Sequence, residues 1–228
     1  RRSPTMGAGL LKEEGCKKRY MGRYTGPNCR LCRRAGEKLF LKGERCYTPR
    51  CAVEKRRSTP GDPSRRRRRP TDYGVHLLEK QKAKYIYGVF ESQFRKYMAD
   101  AFEEDGVTGT NLLRTLERRL DNVIFLLGFA DSRKQARQMV LHGHFQVDGR
   151  RTDIPSFQVG VGHEISWKDS DKTSDYFKER TDGIPKRPVP PWLVLDQTDM
   201  SGKILNLPAD EDLQQSINSR LIVEFYSR

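Results

Sequence analysis

Several things are scarce in this chain, and each scarcity excludes a class of protein. No run among its 228 residues approaches the roughly 18 unbroken apolar positions that a membrane helix requires, so no membrane partner is expected. Hydrophobic residues make up only 35 %, enough for a modest core under a large polar surface. Cysteine is absent after Cys51, and the five present, Cys16, Cys29, Cys32, Cys46 and Cys51, crowd the first quarter. An odd, one-ended set is a poor disulfide framework. No charged, then apolar, then small-residue leader is visible either, and the two together point to a reducing, cytoplasmic compartment. Catalytic signatures are missing as well: there is no Gly-x-Ser-x-Gly, no Walker loop, no paired His on a helix face and no cofactor fingerprint. Asp169, Asp171 and Asp175 do cluster, but in a Ser- and Lys-rich stretch that reads as solvated loop. Neither an enzyme nor a small-molecule substrate is expected.

The chain has an excess of positive charge, and that charge is unevenly spread. Lys and Arg number 44 against 30 Asp and Glu, a formal net charge of +14. Residues 1 to 70 hold 22 basic and 6 acidic side chains, a net of +16, so the remaining 158 residues, with 22 basic and 24 acidic, net −2. A second basic island lies at residues 114 to 151, with 8 basic against 4 acidic side chains. Charge of this density implies a polyanionic partner.

Composition divides the chain into segments. Residues 1–20 show no periodicity and read as an extension, with Met6 and Met21 both possible starts. Residues 21–57 are short runs broken by Gly22, Gly26, Pro27, Gly36, Gly43 and Pro49, with too few apolar side chains for a core, so this arm needs a staple. Residues 58–70, STPGDPSRRRRRP, are a basic linker by composition. Residues 71–115 read as a helical domain. One helix is capped by Thr71 or Asp72 and closed at Gly88, a second runs from Glu91 to Phe102, and a third starts near Thr110 and carries an apolar stripe to Leu127. Part of 182–228 is expected to join this domain.

Residues 116–181 read as an α/β module. Ser132 caps a short helix that Gly143 closes, and HFQVDGRR then forms a strand, a tight turn at Asp148 and Gly149, and two arginines leaving it. Further strands are expected at Phe157 to Val161, Glu164 to Trp167, Leu193 to Leu195, Ile204 to Leu207 and Leu221 to Phe225, with Asp169 to Pro191 as polar helix and loop. The expected fold class is α+β: a zinc-stapled N-terminal arm, a small helical domain, an α/β module with short antiparallel strands, and a C-terminal segment over 182–228.

The staple is suggested by Cys29-x2-Cys32, 13 residues, then Cys46-x4-Cys51. Two close thiol pairs at this separation can surround one zinc tetrahedrally and leave no open position, which makes the metal structural. Its binding free energy, on the order of 10 kcal/mol, would offset the missing core. Four unrelated reduced cysteines, or a redox pair, are the alternatives. Cys16 falls outside the pattern.

Arginines surround these thiols at positions 23, 30, 33, 34, 45, 50, 56 and 57, and continue through the run Arg65, Arg66, Arg67, Arg68 and Arg69. Basic side chains on a metal-stapled arm and tail neutralise phosphates without reading bases, although a bare arginine run also serves as a localisation signal. A second constellation sets Arg133, Lys134 and Arg137 near a helix start, with His142, His144, Arg150 and Arg151 at its far end and the following turn. It is either a cationic face for a phosphate backbone or an ordinary amphipathic helix with a basic side. Tyr73, Lys80, Lys82 and Arg118 complete the candidate RNA-binding set: Arg23, Arg30, Arg33, Arg34, Arg45, Arg50, Arg56, Arg57, Arg65 to Arg69, Tyr73, Lys80, Lys82, Arg118, Arg133, Lys134, Arg137, His142, His144, Arg150 and Arg151.

The segments MGRYTGPNCRLCRR, LKGERCYTPRCA, RRRRRPTDYGVHLLEKQK, ESQFRKYM, LERRLDNVIFLLGFADSRKQARQMVLHGHFQVDGRR, PPWLVLD and LIVEFYSR together resemble the family of bacterial small-subunit ribosomal protein four, in its zinc-binding four-cysteine form. The resemblance runs from about Met21 to Arg228. It implies a structural protein that binds the 5′ domain of small-subunit ribosomal RNA early, near a multi-helix junction, and nucleates subunit assembly. It also implies zinc held by Cys29, Cys32, Cys46 and Cys51, and an RNA-binding module mapped to about Leu116 to Trp167. The implied neighbours are small-subunit proteins five and three and the messenger RNA where it enters the subunit; the contact with protein five is linked to decoding accuracy. One departure stands in the linker, where Pro60-Gly61-Asp62-Pro63-Ser64 replaces the family's usual Pro-Gly-Gln-His-Gly.

Overall fold

A computed structural model describes residues 24, 26–56, 58–61, 71–181 and 188–227. The extension, Cys16 and most of the basic linker therefore lie outside the described residues, as do Arg23, Arg57 and Arg65 to Arg69.

The described chain begins with α1 (Asn28–Ala35) and α2 (Ala52–Lys55), separated by a 3-10 turn at Gly43–Cys46. Four helices follow: α3 (Asp72–Tyr87), α4 (Glu91–Glu103), α5 (Thr108–Glu117) and α6 (Leu120–Leu126). After α7 (Arg133–His142) come β1 (Phe145–Val147), β2 (Arg150–Arg151), β3 (Glu164–Trp167), α8 (Asp175–Thr181), β4 (Leu193–Asp196), β5 (Ser201–Ile204) and α9 (Ser219–Tyr226). The strands form one antiparallel sheet in the order β2-β1-β3-β5-β4.

The helix ends follow local chemistry. The Thr71 hydroxyl accepts from the Gly74 amide at 3.2 Å and the Ser132 hydroxyl from the Gln135 amide at 3.3 Å, each satisfying an amide left over by the first turn. Gly88 (φ 63°) and Gly143 (φ 76°) end α3 and α7 in the left-handed conformation, from which their amides bond back to the last turn.

Two apolar clusters lie beneath these elements. One gathers Ile86, Phe94, Met98, Leu112, Leu116 and Ile222 from α3, α4, α5 and α9. The other gathers Val123, Ile124, Leu127, Val140, Phe145, Ile165, Trp167, Leu193 and Ile204 from α6, α7 and the sheet. Each such side chain withdrawn from water contributes about 1.5–3 kcal/mol.

The arm departs from the sequence expectation. It has no core of its own, but Leu31, Leu39 and Leu41 are 6 %, 3 % and 8 % exposed and join the helical cluster. It therefore leans on α3 through apolar contact.

Four further differences have physical causes. The apolar stripe from Thr110 to Leu127 is two helices, because the chain is extended at Arg119 (ψ 136°). There the Leu120 and Asp121 amides donate to the carbonyls of Phe157 and Pro155, and the Val159 amide donates to Arg118 O. The loop 155–159 thereby takes backbone bonds that would otherwise continue the helix, and Phe157 to Val161 makes only a single bridge, Arg119 to Gln158. The last strand is Ser201–Ile204 rather than Ile204 to Leu207, since Leu205 and Leu207 are 44 % and 49 % exposed. At Gly202 the strand passes close under Leu127, at the end of α6: a Cβ there would collide with Leu127 Cδ1 unless that side chain shifted. The run Leu221 to Phe225, strand-like by its branched side chains, is helical because packing overrides propensity. Ile222 is fully buried and Tyr226, one turn on, donates to Glu91 at 3.0 Å, while Arg220 pairs outward with Glu224 at 3.2 Å.

Candidate nucleic-acid interface

The interface is built on α7 and the hairpin that follows it. Asp148 (φ 50°) and Gly149 (φ 74°) both occupy the left-handed region, as a two-residue turn between antiparallel strands requires. The Asp148 carboxylate fixes the turn by accepting from the Glu164 amide at 2.8 Å. Arg150 and Arg151 leave it exposed on β2, at the edge of the sheet. Arg151 folds back over the end of α7, where a Cβ on Gly143 would stand 2.5 Å from its Nε. Arg151 thus lies beside the end of α7, where His142 is exposed. His144 is half-buried and bonded to Asp171 at 2.7 Å. Burial alone would raise the Asp171 carboxyl, but its bonds to His144 and Ser170 outweigh that and hold it below the usual carboxylate range.

The three basic residues of α7 have different surroundings. Lys134 is exposed and reaches the arm, 2.5 Å from Asn28 Oδ1 and 3.3 Å from the Tyr24 carbonyl. Arg137 lies 3.2 Å from Asp121 and is half-buried. Arg133 turns inward: its Nε donates to Asn122 at 2.6 Å, and its guanidinium lies 4.5 Å from the Phe125 ring centre and 5.2 Å from that of Tyr87.

On the arm, Arg30, Arg34, Arg45, Arg50 and Arg56 are all exposed, whereas Arg33 clasps the carbonyls of Ser58 and Thr59 at 2.9 and 3.4 Å. Tyr73 is 57 % exposed and leans on Phe225, with ring centres 5.6 Å apart. Arg118 is half-buried and donates to Val159 O at 2.9 Å.

Two candidates face the interior instead of solvent. Lys80, 5 % exposed, lies 2.8 Å from Glu91 and 4.6 Å over the Phe225 ring. Lys82, 7 % exposed, is held by Glu37 at 2.6 Å, Glu79 at 3.4 Å and the Ser216 carbonyl. A desolvated ammonium needs such partners, and these two join α3 to α9 and its preceding loop and to the arm.

Behind α7 lies a polar network that the sequence reading did not anticipate. Arg119 is fully buried, 2.7 Å from both Asp121 and the Tyr97 hydroxyl. Glu117 accepts from Tyr87 at 2.6 Å and from Asn122, and Asn122 in turn receives Arg133. Burial pushes the Glu117 carboxyl up. The signal available was polar residues interrupting an apolar helical stripe, in LERRLDN.

The four described cysteines all lie in the arm. Cys32, Cys46 and Cys51 are buried and Cys29 is half-buried. Burial raises the Cys32 thiol; a Leu39 backbone bond opposes it, and the nearby sulfurs of Cys46, Cys29 and Cys51 add to the rise. The Lys42 amide donates to Cys46 Sγ at 3.4 Å. Among the described residues no group of three or more His, Cys, Asp or Glu side chains is arranged as a metal site. Thiolate sulfurs are soft donors of the kind zinc takes, and backbone bonds reach two of these four, Cys32 and Cys46.

Exposed arginines on an arm and a hairpin turn, with Lys134 and His142 exposed on α7 between them, define a protein that grips a nucleic-acid backbone. Comparison with known proteins gives this class its family. The model for the Ribosomal protein S4/S9 N-terminal domain matches residues 23–117, and that for the S4 domain matches residues 118–165. The junction between the two falls at the break between α5 and α6. The chain is 53 % identical to small ribosomal subunit protein uS4 of Heliobacterium modesticaldum over 208 residues, which is 91 % of this chain and 100 % of that one. With the uS4 proteins of Desulfitobacterium hafniense and Thermus thermophilus the identity is 54 % and 52 %, each over 209 residues, with the same coverage. The chain belongs to the uS4 family of small ribosomal subunit proteins.

Proposed function

We propose that this chain is a structural, non-enzymatic constituent of the small ribosomal subunit and binds its ribosomal RNA through the arm, the end of α7 and the β1–β2 hairpin. The observation that carries this is the placement of Arg30, Arg34, Arg45, Arg50, Arg56, Arg150 and Arg151, all exposed on ordered elements of a chain with a net charge of +14. Compact and junction RNA shapes suit such scattered arginines, since the A-form major groove is closed to side chains.

The finer reading is that the RNA is the 5′ domain, bound early enough to nucleate assembly. Small-subunit proteins five and three and incoming messenger RNA are the neighbours, and the contact with protein five bears on decoding accuracy. One structural zinc, held by Cys29, Cys32, Cys46 and Cys51, belongs to the same reading. It is supported by the spacing of the four cysteines, the burial of three of them and the amide bond to Cys46. The metal would cross-link the arm and supply no reaction chemistry.

The test is competition between the folded 5′ domain of small-subunit rRNA and an equally long DNA duplex for the full chain, with zinc quantified on the same sample. Preference for the RNA with one zinc per chain is expected. Equal affinity for both would reduce the account to charge, and turnover of either nucleic acid would contradict the non-enzymatic reading.

A further inference from the structure

Between the arm and α7 runs a groove of about 730 Å³ whose makeup differs from the rest of the cationic surface. Its floor is apolar, formed by Leu31, Leu41, Ile86 and Val89. The aromatic residues Tyr24 and Phe40, 39 % and 37 % exposed, line it as well. The basic residues Lys84, Arg133, Lys134 and Arg137 line it against a single carboxylate, Glu91.

Phe40 is the unusual residue here. Its φ of 49° lies in the left-handed region, which a bulky side chain rarely occupies and which is kept only where the surroundings enforce it. The enforcement is visible: Leu39 and Leu41 on either side are both buried, at 3 % and 8 % exposure, and Phe40 is turned outward between them. There it stacks on Tyr47, itself 58 % exposed, with ring centres 4.9 Å apart and planes 29° apart. An exposed stacked pair, one ring of which lines a cationic groove from a strained backbone, is costly for a fold that needs only solubility.

We infer that this groove receives one unpaired nucleotide of the bound RNA, its base against the Phe40 and Tyr24 rings and its phosphate on the Lys134 and Arg137 side. A volume of this size suits a ligand of that scale, and unpaired bases stack on aromatic faces while cations hold the backbone. The inference rests on the RNA-binding reading above. It adds to it a base-level contact in a protein otherwise built to hold phosphates.

The test probes the folded 5′ domain of small-subunit rRNA, bound to the full chain, in two ways at once. Hydroxyl radicals report the backbone footprint, and reagents for Watson–Crick edges report individual unpaired bases. Wild-type protein is expected to shield one or two unpaired bases. The double variant Phe40→Leu with Tyr24→Leu is expected to expose them again while leaving the backbone footprint in place, with affinity reduced roughly tenfold. Identical base reactivity for wild type and variant would overturn the inference. Absence of any wild-type footprint would instead overturn the RNA-binding reading beneath it. Should the double variant fold poorly, a photoreactive phenylalanine at position 40 gives an independent answer. Cross-linking to the base of an unpaired nucleotide is expected, and cross-linking only to duplex sugars or to none would refute the placement.

Discussion

Glu91→Gln tests how α9 is fastened to the helical core. Glu91 lies 2.8 Å from both Lys80 and Lys84 and accepts from the Tyr226 hydroxyl of α9 at 3.0 Å. Its side chain is 14 % exposed and that of Lys80 is 6 %. Removing one partner of a buried ion pair costs about 3–5 kcal/mol; glutamine still accepts a hydrogen bond, so about 2–3 kcal/mol is expected here. Burial alone would raise the Glu91 carboxyl, but the two ammoniums outweigh it and hold the pKa at about 2. A carboxyl depressed in the folded state stabilises above its ordinary value of 4.5 and loses that contribution as pH falls through about 2. The difference between wild type and variant should therefore shrink between pH 7 and pH 3. After allowance for solvent screening, the shrinkage is about 1 kcal/mol. Urea denaturation of both proteins at the two pH values measures this, and hydrogen exchange should show the amides of α9 opening first in the variant. A loss under about 0.5 kcal/mol at pH 7, or an unchanged difference at pH 3, would refute the reasoning.

Gly202→Ala drives a Cβ into Leu127 Cδ1 and should cost about 1–3 kcal/mol in denaturant unfolding by overpacking the meeting of α6 and β5. Gly43→Ala meets the Asp131 carbonyl at 2.8 Å from a backbone with φ 73°, so limited proteolysis should cut the arm sooner while the rest of the chain stays resistant. Replacing Cys46 and Cys51 together with Ser should abolish the proposed zinc and loosen residues 26–56 while the helical domain stays folded; metal analysis showing unchanged stoichiometry would reject the four-sulfur site. Arg133→Met should destabilise the fold by about 1–3 kcal/mol, through the lost bond to Asn122, more than it weakens RNA binding; thermal unfolding and binding on the same sample separate the two.

Much of this architecture could be read from local signals. Thr71 and Gly88, and likewise Ser132 and Gly143, bracket α3 and α7 because a cap hydroxyl and a left-handed glycine act within a few residues of the chain. The Asp148-Gly149 turn is equally local, and it placed Arg150 and Arg151 correctly on the exposed hairpin edge. Long-range effects were less legible. The helical state of Leu221 to Phe225 depends on a surface offered by α3 and α5, far away in sequence. The break at Arg119 depends on backbone bonds from residues 155–159. Charge was visible as a quantity, but its direction was not. Lys80 and Lys82 look no different in sequence from Lys134, yet carboxylates from other elements draw the first two inward. The groove beside Phe40 was invisible for the same reason, being assembled from the arm, α3 and α7 only after folding.

The most direct test of the central claim is a salt titration of binding to the folded 5′ domain of small-subunit rRNA, for wild type, for Arg150→Ala with Arg151→Ala, and for Arg133→Met. Each phosphate contact adds roughly 0.7 to 0.9 to the slope of log affinity against log salt. The hairpin variant should lose about 1 to 2 contacts from that slope, and Arg133→Met should leave it unchanged. An unaltered slope in the hairpin variant, or a fall in the Arg133 variant alone, would contradict the interface described.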